Sequence, residues 1–133
     1  MATVTAQLTL TSSDLLTDSL SVTTSMSKTL VDGTSGLGRK KITSTAKGTA
    51  SGQVILTTAG EYTSPNYIYI KNTDATSTDY ISVYDDAYGA NEDVVYLAGG
   101  DWTIIPIFSG AELKCYAATS GTIVEWMVFG TAA

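Results

Sequence analysis

Four carboxylates lie close together in the stretch DDAYGANED and are the densest group of potential ligands or catalytic acids in the chain: Asp85, Asp86, Glu92 and Asp93. Clustered carboxylate oxygens are the ligands that calcium prefers. Their spacing does not match an EF-hand loop, and an acidic, glycine-containing turn is also a common hairpin tip. A glycosidase pair would need its carboxylates on facing elements. We keep the four residues as candidate metal ligands and predict that no essential ion binds there.

The chain of 133 residues contains no histidine. The commonest general base, the commonest metal ligand and every histidine-activated nucleophile are therefore missing. The single cysteine, Cys115, cannot form an intrachain disulfide, and ELKCYAATSG has the pattern of a strand with a small buried side chain. The glycines of GTSGLGRKKIT lack the final Gly-Lys-Ser/Thr of a phosphate-binding loop. We predict a protein that is not an enzyme and has no cofactor, with a carboxylate-based hydrolase as an alternative.

Seven short runs of β-branched and aromatic residues follow one another from Gln53 onward. Glycines separate them at regular intervals, a pattern typical of an antiparallel sandwich or barrel. Pro106 cannot donate a backbone hydrogen bond, so its strand should lie at a sheet edge or contain a bulge. Trp102 and Trp126 lie in apolar runs and should anchor the core. The predicted strands are 53–58, 67–71, 80–84, 93–98, 102–108, 112–118 and 122–129.

The first third of the chain has a different character. TVTAQLTLT alternates and predicts a strand, while SDLLTDSLSV either begins with a helical turn capped by Ser13 or stays extended. VDGTSGLGRKK is typical of a flexible connector, and a weak strand is predicted at 41–46. We therefore expect an N-terminal arm or added hairpin at 1–47 and a compact sandwich body at 48–133 within one domain. The predicted fold class is all-β, an antiparallel, jelly-roll-like β-sandwich.

Charge is distributed unevenly along the chain. Residues 1–47 contain five basic and three acidic residues, whereas residues 48–133 contain two basic and ten acidic residues. A body with this excess of acidic residues repels nucleic acid, because binding requires positive charge to neutralise the phosphates. Arg39, Lys40 and Lys41 follow the glycines, and we expect this basic tract to reach across an interface to an acidic neighbour instead of folding onto its own sandwich.

No membrane partner is expected. No apolar run reaches the roughly 20 residues that cross a bilayer. The N-terminus also lacks the basic start and continuous apolar core of a signal peptide.

The stretch NYIYIKNTDATSTDYISVYDD carries apolar side chains at both odd and even positions. Ile68, Ile70, Ile81 and Val83 form an aliphatic row suited to a core. One face of a sandwich strand is normally wet and polar, so a second row of tyrosines calls for another explanation. Tyrosine gives large contact area at small entropic cost and is enriched at interfaces. We predict that these tyrosines lie at a contact between subunits: Tyr67, Tyr69, Tyr80 and Tyr84.

The order YIYIKN, YISVY, LAGGDWTIIPI and SGTIVEWMVFG, together with the opening TVTAQLTLTSSDLLTDSLSV, resembles small virion structural proteins of tailed phages, especially those that infect marine bacteria. That resemblance implies a β-sandwich and a virion component, foremost a capsid decoration or cement protein. It would be made in the host cytoplasm and lie on the capsid exterior. Its partners would be the major capsid protein and copies of itself, with a trimer as one option.

Two other functions stay open at this point. One is a neck or tail structural component. The other is a carbohydrate- or receptor-binding module of a tail or fibre, with tryptophan or tyrosine rings as stacking platforms. Rings that lie open beside polar groups would favour sugar binding, and rings buried between copies would favour assembly.

Overall fold

The computed structural model describes residues 2–14, 19–30, 36–48, 53–58, 60–86 and 92–132. Within these ranges the chain forms strands and no helix, and hence no helix long and apolar enough to cross a membrane. All the strand pairs are antiparallel. The strands are β1 (Ala2–Ser12), β2 (Leu20–Leu30), β3 (Gly38–Lys41), β4 (Val54–Ile55), β5 (Tyr62–Asn72), β6 (Ile81–Asp85), β7 (Glu92–Leu97), β8 (Trp102–Ile107), β9 (Leu113–Ala117) and β10 (Ile123–Ala132).

Met1–Val31 form one compact unit and Asp32–Ala133 form a second. The first unit is a hairpin in which β1 and β2 pair along their full length, from Ala2 opposite Leu30 to Ser12 opposite Leu20. The strand predicted at TVTAQLTLT is confirmed. Leu20 onward is extended as well, while residues 15–18, where a helical turn was an option, lie outside the described residues.

The second unit is a β-sandwich of two four-stranded sheets. Its first sheet has the order β3-β10-β5-β8, and its second sheet has the order β4-β9-β6-β7. β-Branched residues recur at alternate positions of the strands, so each sheet has one apolar face. The apolar faces of both sheets contribute to one core. The predicted all-β antiparallel sandwich and its seven strands are confirmed. Pro106 lies on β8, an edge strand, as its missing N–H requires.

The core consists of buried aliphatic side chains from both sheets, supplemented by Cys115 of β9. Burial raises the pKa of this thiol to about 12, so Cys115 acts as a small hydrophobic residue, as predicted. Trp126 is partly buried and packs against the same core. The cluster comprises Ile42, Val54, Leu56, Tyr62, Ile68, Ile70, Ile81, Val83, Leu97, Ala111, Leu113, Cys115, Ala117, Val124 and Val128.

The boundary between the N-terminal unit and the body lies earlier in the chain than the sequence predicts. β3 pairs with β10, with Lys41 opposite Ile123 and Gly38 opposite Trp126. Ile42, directly after β3, is fully buried in the core. Without β3, one edge of β10 would be left unpaired, so the body begins at about residue 32 and not at 48. The expectation that the basic tract leaves its own sandwich is therefore corrected. The weak strand predicted at 41–46 is also corrected, because the strand lies at Gly38–Lys41.

Asn72, the last residue of β5, joins three segments at one end of the sandwich. Its buried side-chain amide donates to the carbonyl oxygens of Asp79, at 2.7 Å, and Leu97, at 3.1 Å. Its Oδ1 accepts a hydrogen bond from the backbone N–H of Asp74 at 3.0 Å. The side chain thus satisfies polar groups that regular strand pairing does not reach.

A β-bulge interrupts the β5–β10 ladder between Phe129 and Thr131. Gly130 lies in this bulge, against the buried side chain of Asn66 on β5. A Cβ at position 130 would lie 1.8 Å from Oδ1 of Asn66. Only glycine therefore allows the two strands to approach each other with that amide between them.

Candidate interaction surface

The outer face of the first sheet is unusually apolar for a sandwich. Ile68, Ile70, Val124 and Val128 point into the core, so alternation places their neighbours in β5 and β10 on the outside. The same alternation on β8 sends Ile105 inward and Trp102 outward. We call the resulting surface the aromatic face. It comprises Tyr67, Tyr69, Trp102, Ile104, Pro106, Ile123, Met127 and Phe129, of which Phe129 is buried, with Arg39, Lys41, Lys71 and Glu125 as its charged members.

The aromatic face is ordered by cross-strand contacts. Tyr67 stacks on Phe129 with ring centroids 5.8 Å apart and an angle of 16° between the rings. Tyr69 is opposite Ile104 on one side and Met127 on the other, and Lys71 is opposite Trp102. Trp102 is 51% exposed. Apolar rows of this kind, facing water on the outside of a sheet, are typical of a surface that another protein covers.

Glu125 is the carboxylate at the centre of this face. Its Oε1 accepts a hydrogen bond from the Tyr69 hydroxyl at 3.1 Å, and its Oε2 lies 3.4 Å from Nε of Arg39. Partial burial raises the pKa of Tyr69, and the hydrogen bond to Glu125 adds to that rise, so the hydroxyl stays protonated as the donor. A carboxylate that already has two partners costs less to bury beneath a neighbouring molecule than an unpaired one.

The basic tract forms one edge of the first sheet. Arg39 is paired with Glu125, while Lys40 and Lys41 are exposed on the same strand. The structure thus brings Arg39 and Tyr69, two of the predicted interface residues, to the same carboxylate. Glu125 itself was missed, although a lone charge inside the apolar run IVEWMVF was a signal that it needs a partner.

The tyrosines predicted as a single row lie on two sheets. Tyr67 and Tyr69 belong to the first sheet, whereas Tyr80 and Tyr84 lie in or beside β6 of the second sheet. Tyr84 is fully buried, and its hydroxyl donates to the carbonyl oxygen of Gly48 at 3.4 Å. Because residues of its own chain cover it, Tyr84 is not available to a neighbouring subunit. The expectation of one continuous tyrosine row is corrected accordingly.

The outer face of the second sheet carries a tyrosine cluster, which we define as Tyr80, Tyr84, Tyr96 and Tyr116. Tyr80 and Tyr96 meet edge to face at 5.6 Å, and Tyr84 and Tyr116 are tilted at 6.0 Å. Tyr96 is 55% exposed and Tyr80 is 39% exposed, while the other two rings are buried. This face therefore presents two open rings above two buried ones.

Asp93 lies against this cluster and is held by three partners. It accepts hydrogen bonds from Ser82, at 2.6 Å, and from Tyr96, at 2.5 Å, and lies 2.7 Å from Nζ of Lys47. Burial opposes its ionisation, but the bonds from Lys47, Ser82 and Tyr96 together lower its pKa. The same bond to Asp93 raises the pKa of Tyr96. The carboxylate thus serves as a structural acceptor.

Three of the four carboxylates considered as metal ligands have separate partners. Asp86 pairs with Lys114, which also contacts Glu112 at 3.1 Å, and Asp93 pairs with Lys47. Asp85 accepts a hydrogen bond from the backbone N–H of Glu112 and is opposite Glu92 in the ladder. Residues 87–91 lie outside the described ranges. Within those ranges, no three His, Cys, Asp or Glu residues come together as a metal site.

The two tryptophans have different environments. Trp126 covers Gly38 of β3, whose absent Cβ would lie 3.0 Å from the ring, and packs on the core as predicted. Trp102 does not anchor the core, because its position on β8 points outward. That prediction is wrong for a simple reason: an apolar run in an edge strand has two apolar faces, and only one of them faces the core.

Comparison with protein-family models, with curated proteins and with solved structures finds no match to this chain.

Proposed function

We propose that this chain is a non-enzymatic structural protein of a tailed-phage virion, a capsid decoration or cement protein that binds the major capsid protein through the aromatic face. The observation that carries the proposal is the exposed apolar outer face of the first sheet. The exposed Trp102 and Ile123, with the half-buried tyrosine and aliphatic side chains around them, supply the kind of area that protein interfaces bury. Many copies on a symmetric shell would combine such contacts through multivalency.

The charges around the aromatic face support the same function. Glu125 is already paired within the face, so covering it leaves no isolated charge. Lys40 and Lys41 lie exposed at the β3 edge, where rim charges raise the rate of encounter and fix orientation more than they raise final affinity. The basic tract would thus act from within the sheet, at the rim of the contact.

The order of strands is part of the proposal. Counted within the body alone, the sheets have the orders 1-8-3-6 and 2-7-4-5, and most successive strands change sheet. Eight strands distributed over two sheets in this manner are what a jelly roll requires. We propose that the body belongs to that type, which is common among capsid proteins.

A binding experiment on particles tests the function. Heads of the encoding phage that lack the protein are mixed with purified wild-type protein and with Trp102→Ser/Ile104→Ser, and bound protein is located by cryo-electron microscopy. The double variant should lose at least tenfold in affinity, because it removes the most exposed ring of the face and an aliphatic side chain from the same face of β8. Val94→Ser/Tyr96→Ser is the matched control: it alters two exposed apolar residues of β7, the edge strand of the other sheet.

Two results would overturn the proposal. One is that wild-type protein does not bind heads, or is found only at the tail or neck. The other is that Trp102→Ser/Ile104→Ser binds heads as tightly as the wild type.

A carbohydrate-binding module is the second candidate, and the tyrosine cluster favours it. Tyr80 and Tyr96 offer exposed rings beside the carboxylate of Asp93, the combination of apolar surface and oriented polar groups that sugar sites use. Polysaccharide from the host surface should then bind the wild type and Trp102→Ser/Ile104→Ser equally. Val94→Ser/Tyr96→Ser should bind it weakly.

A further inference from the structure

The β1–β2 hairpin has one apolar face and one polar face. Register places Leu8 opposite Thr24 and Leu10 opposite Val22, so these side chains share a face. The opposite face carries only Ser, Thr and Gln at its described positions. Leu8, Leu10 and Val22 are 41%, 46% and 43% exposed. By register the apolar face comprises Val4, Ala6, Leu8, Leu10, Leu20, Val22, Thr24 and Met26, with the polar positions Ser12 and Lys28 towards its two ends.

A two-stranded hairpin alone is marginally stable in water, even when its strands are long. Each strand here has 11 residues, which at about 3.3 Å per residue gives a ribbon roughly 35 Å long. An apolar face of that length needs a covering layer.

The edges of the hairpin are also open to pairing. β1 and β2 form a two-stranded sheet, so each has one edge without a strand partner among the described residues. Monomeric proteins block such edges with charges, prolines or bulges. β1 and β2 contain no proline and a single charged residue, Lys28, and their register runs without a break. These strands lack the usual protection against joining another strand.

Charge identifies a second copy of this chain as the partner. The body carries eleven acidic and six basic residues from Asp32 onward, so bodies repel one another. The hairpin strands are almost uncharged, and the two acidic residues of the first unit, Asp14 and Asp18, lie between the strands in the sequence. Lys28 is the one like charge that identical hairpins bring together, and it lies near one end of the ribbon, so hairpins repel one another much less than bodies do.

We propose that the hairpins of at least three copies join edge to edge into a closed β-barrel that makes this protein a cyclic homo-oligomer. Rotation about an axis along the hairpin places β1 of one copy beside β2 of the next, in the antiparallel direction that the hairpin already uses. Closure pairs every edge and turns every apolar face inward. The small side chains of Val4, Ala6 and Val22 suit the narrow interior of a three-copy, six-stranded barrel. This inference does not rest on the proposed function.

Two register-matched variants of the full chain test the barrel. Leu10→Glu/Val22→Lys places an ion pair on the apolar face, and Thr9→Glu/Thr23→Lys places the same pair one position away on the polar face. Net charge is unchanged in both. Light scattering after size-exclusion chromatography should give the mass of three or more chains for the wild type and for Thr9→Glu/Thr23→Lys. Leu10→Glu/Val22→Lys should have the mass of one chain.

Tryptophan fluorescence reports the state of the body in the same samples. Both tryptophans lie in the body, and residues 1–31 contain no aromatic side chain. The emission spectrum and urea midpoint of Leu10→Glu/Val22→Lys should match those of the wild type. A wild-type mass of one or two chains, an unchanged mass in Leu10→Glu/Val22→Lys, equal effects of the two variants, or unfolding of the body would each overturn the proposal.

Discussion

Asn72 is expected to be one of the most sensitive polar residues of the sandwich. Replacement by alanine removes three hydrogen bonds, of which only the one to the Leu97 carbonyl is fully buried. A buried polar group without a partner costs about 1–3 kcal/mol, and the two partly buried groups regain some hydration. We therefore expect Asn72→Ala to lower the free energy of unfolding by about 3 kcal/mol. For a body of this size, that corresponds to a fall in Tm of roughly 12–20 °C.

Asn72→Asp separates hydrogen bonding from packing, because the two side chains have nearly the same shape. An aspartate oxygen would replace the amide nitrogen opposite two carbonyl oxygens, so burial and repulsion should raise the pKa of the new carboxyl above its ordinary value. A group whose folded pKa is raised in this way lowers stability as pH rises from its unfolded pKa of about 3.9 towards the folded pKa. The loss relative to wild type should therefore be small at pH 3.5 and large at pH 7.

Urea unfolding followed by tryptophan fluorescence measures both variants, with wild type at each pH as the control. A cost of less than 1 kcal/mol for Asn72→Ala would contradict the role given to this amide. An Asn72→Asp cost that is the same at pH 3.5 and pH 7 would show that shape, and not hydrogen bonding, determines the effect.

Two further perturbations probe other contacts. Asp93→Asn should lower stability at pH 7, and its difference from wild type should shrink as pH falls below about 4, because the native carboxylate, whose pKa is lowered, loses its advantage on protonation. Urea midpoints at pH 7 and pH 3 measure this, and a difference that does not change with pH would contradict it. Gly130→Ala should cost about 1–3 kcal/mol, since a Cβ there overlaps the Asn66 amide. Adding Asn66→Ser should recover part of that loss in thermal unfolding, and a purely additive double variant would refute the contact.

Local sequence patterns predicted where the strands lie in the chain, but not which strands are neighbours in a sheet. In β5 the alternation of Ile68 and Ile70 with Tyr67 and Tyr69 specifies which face is buried, and the structure follows it. The next strand in the sequence, β6, belongs to the other sheet, and no local signal marks that change. A row of tyrosines that is continuous in the sequence is therefore divided in space.

Long-range contacts account for the other differences. Tyr84 is buried among residues of its own chain, and its hydroxyl donates to the carbonyl oxygen of Gly48, which is distant in the sequence. The basic tract has the composition of an exposed strip, yet β10 requires a partner along that edge. Both outcomes depend on which distant segments meet, and composition does not encode that information. Only the β5 residues of the aromatic face were predictable from the sequence. Glu125 and Trp102 lie on β10 and β8, the strands on either side of β5, and their roles depend on that pairing.

Pairing between β3 and β10 has a consequence for the order of folding. β3, the first strand of the body, pairs with β10, the last strand, with Lys41 opposite Ile123. β10 also pairs with β5. During synthesis the first sheet therefore stays incomplete until nearly the whole chain has left the ribosome. The β1–β2 hairpin needs only nearby residues and can form earlier, because short loops close quickly. Nascent chains would then sample the marginally stable hairpin before they carry a folded sandwich, and in the proposed barrel neighbouring chains on one messenger RNA would stabilise it by pairing their hairpins.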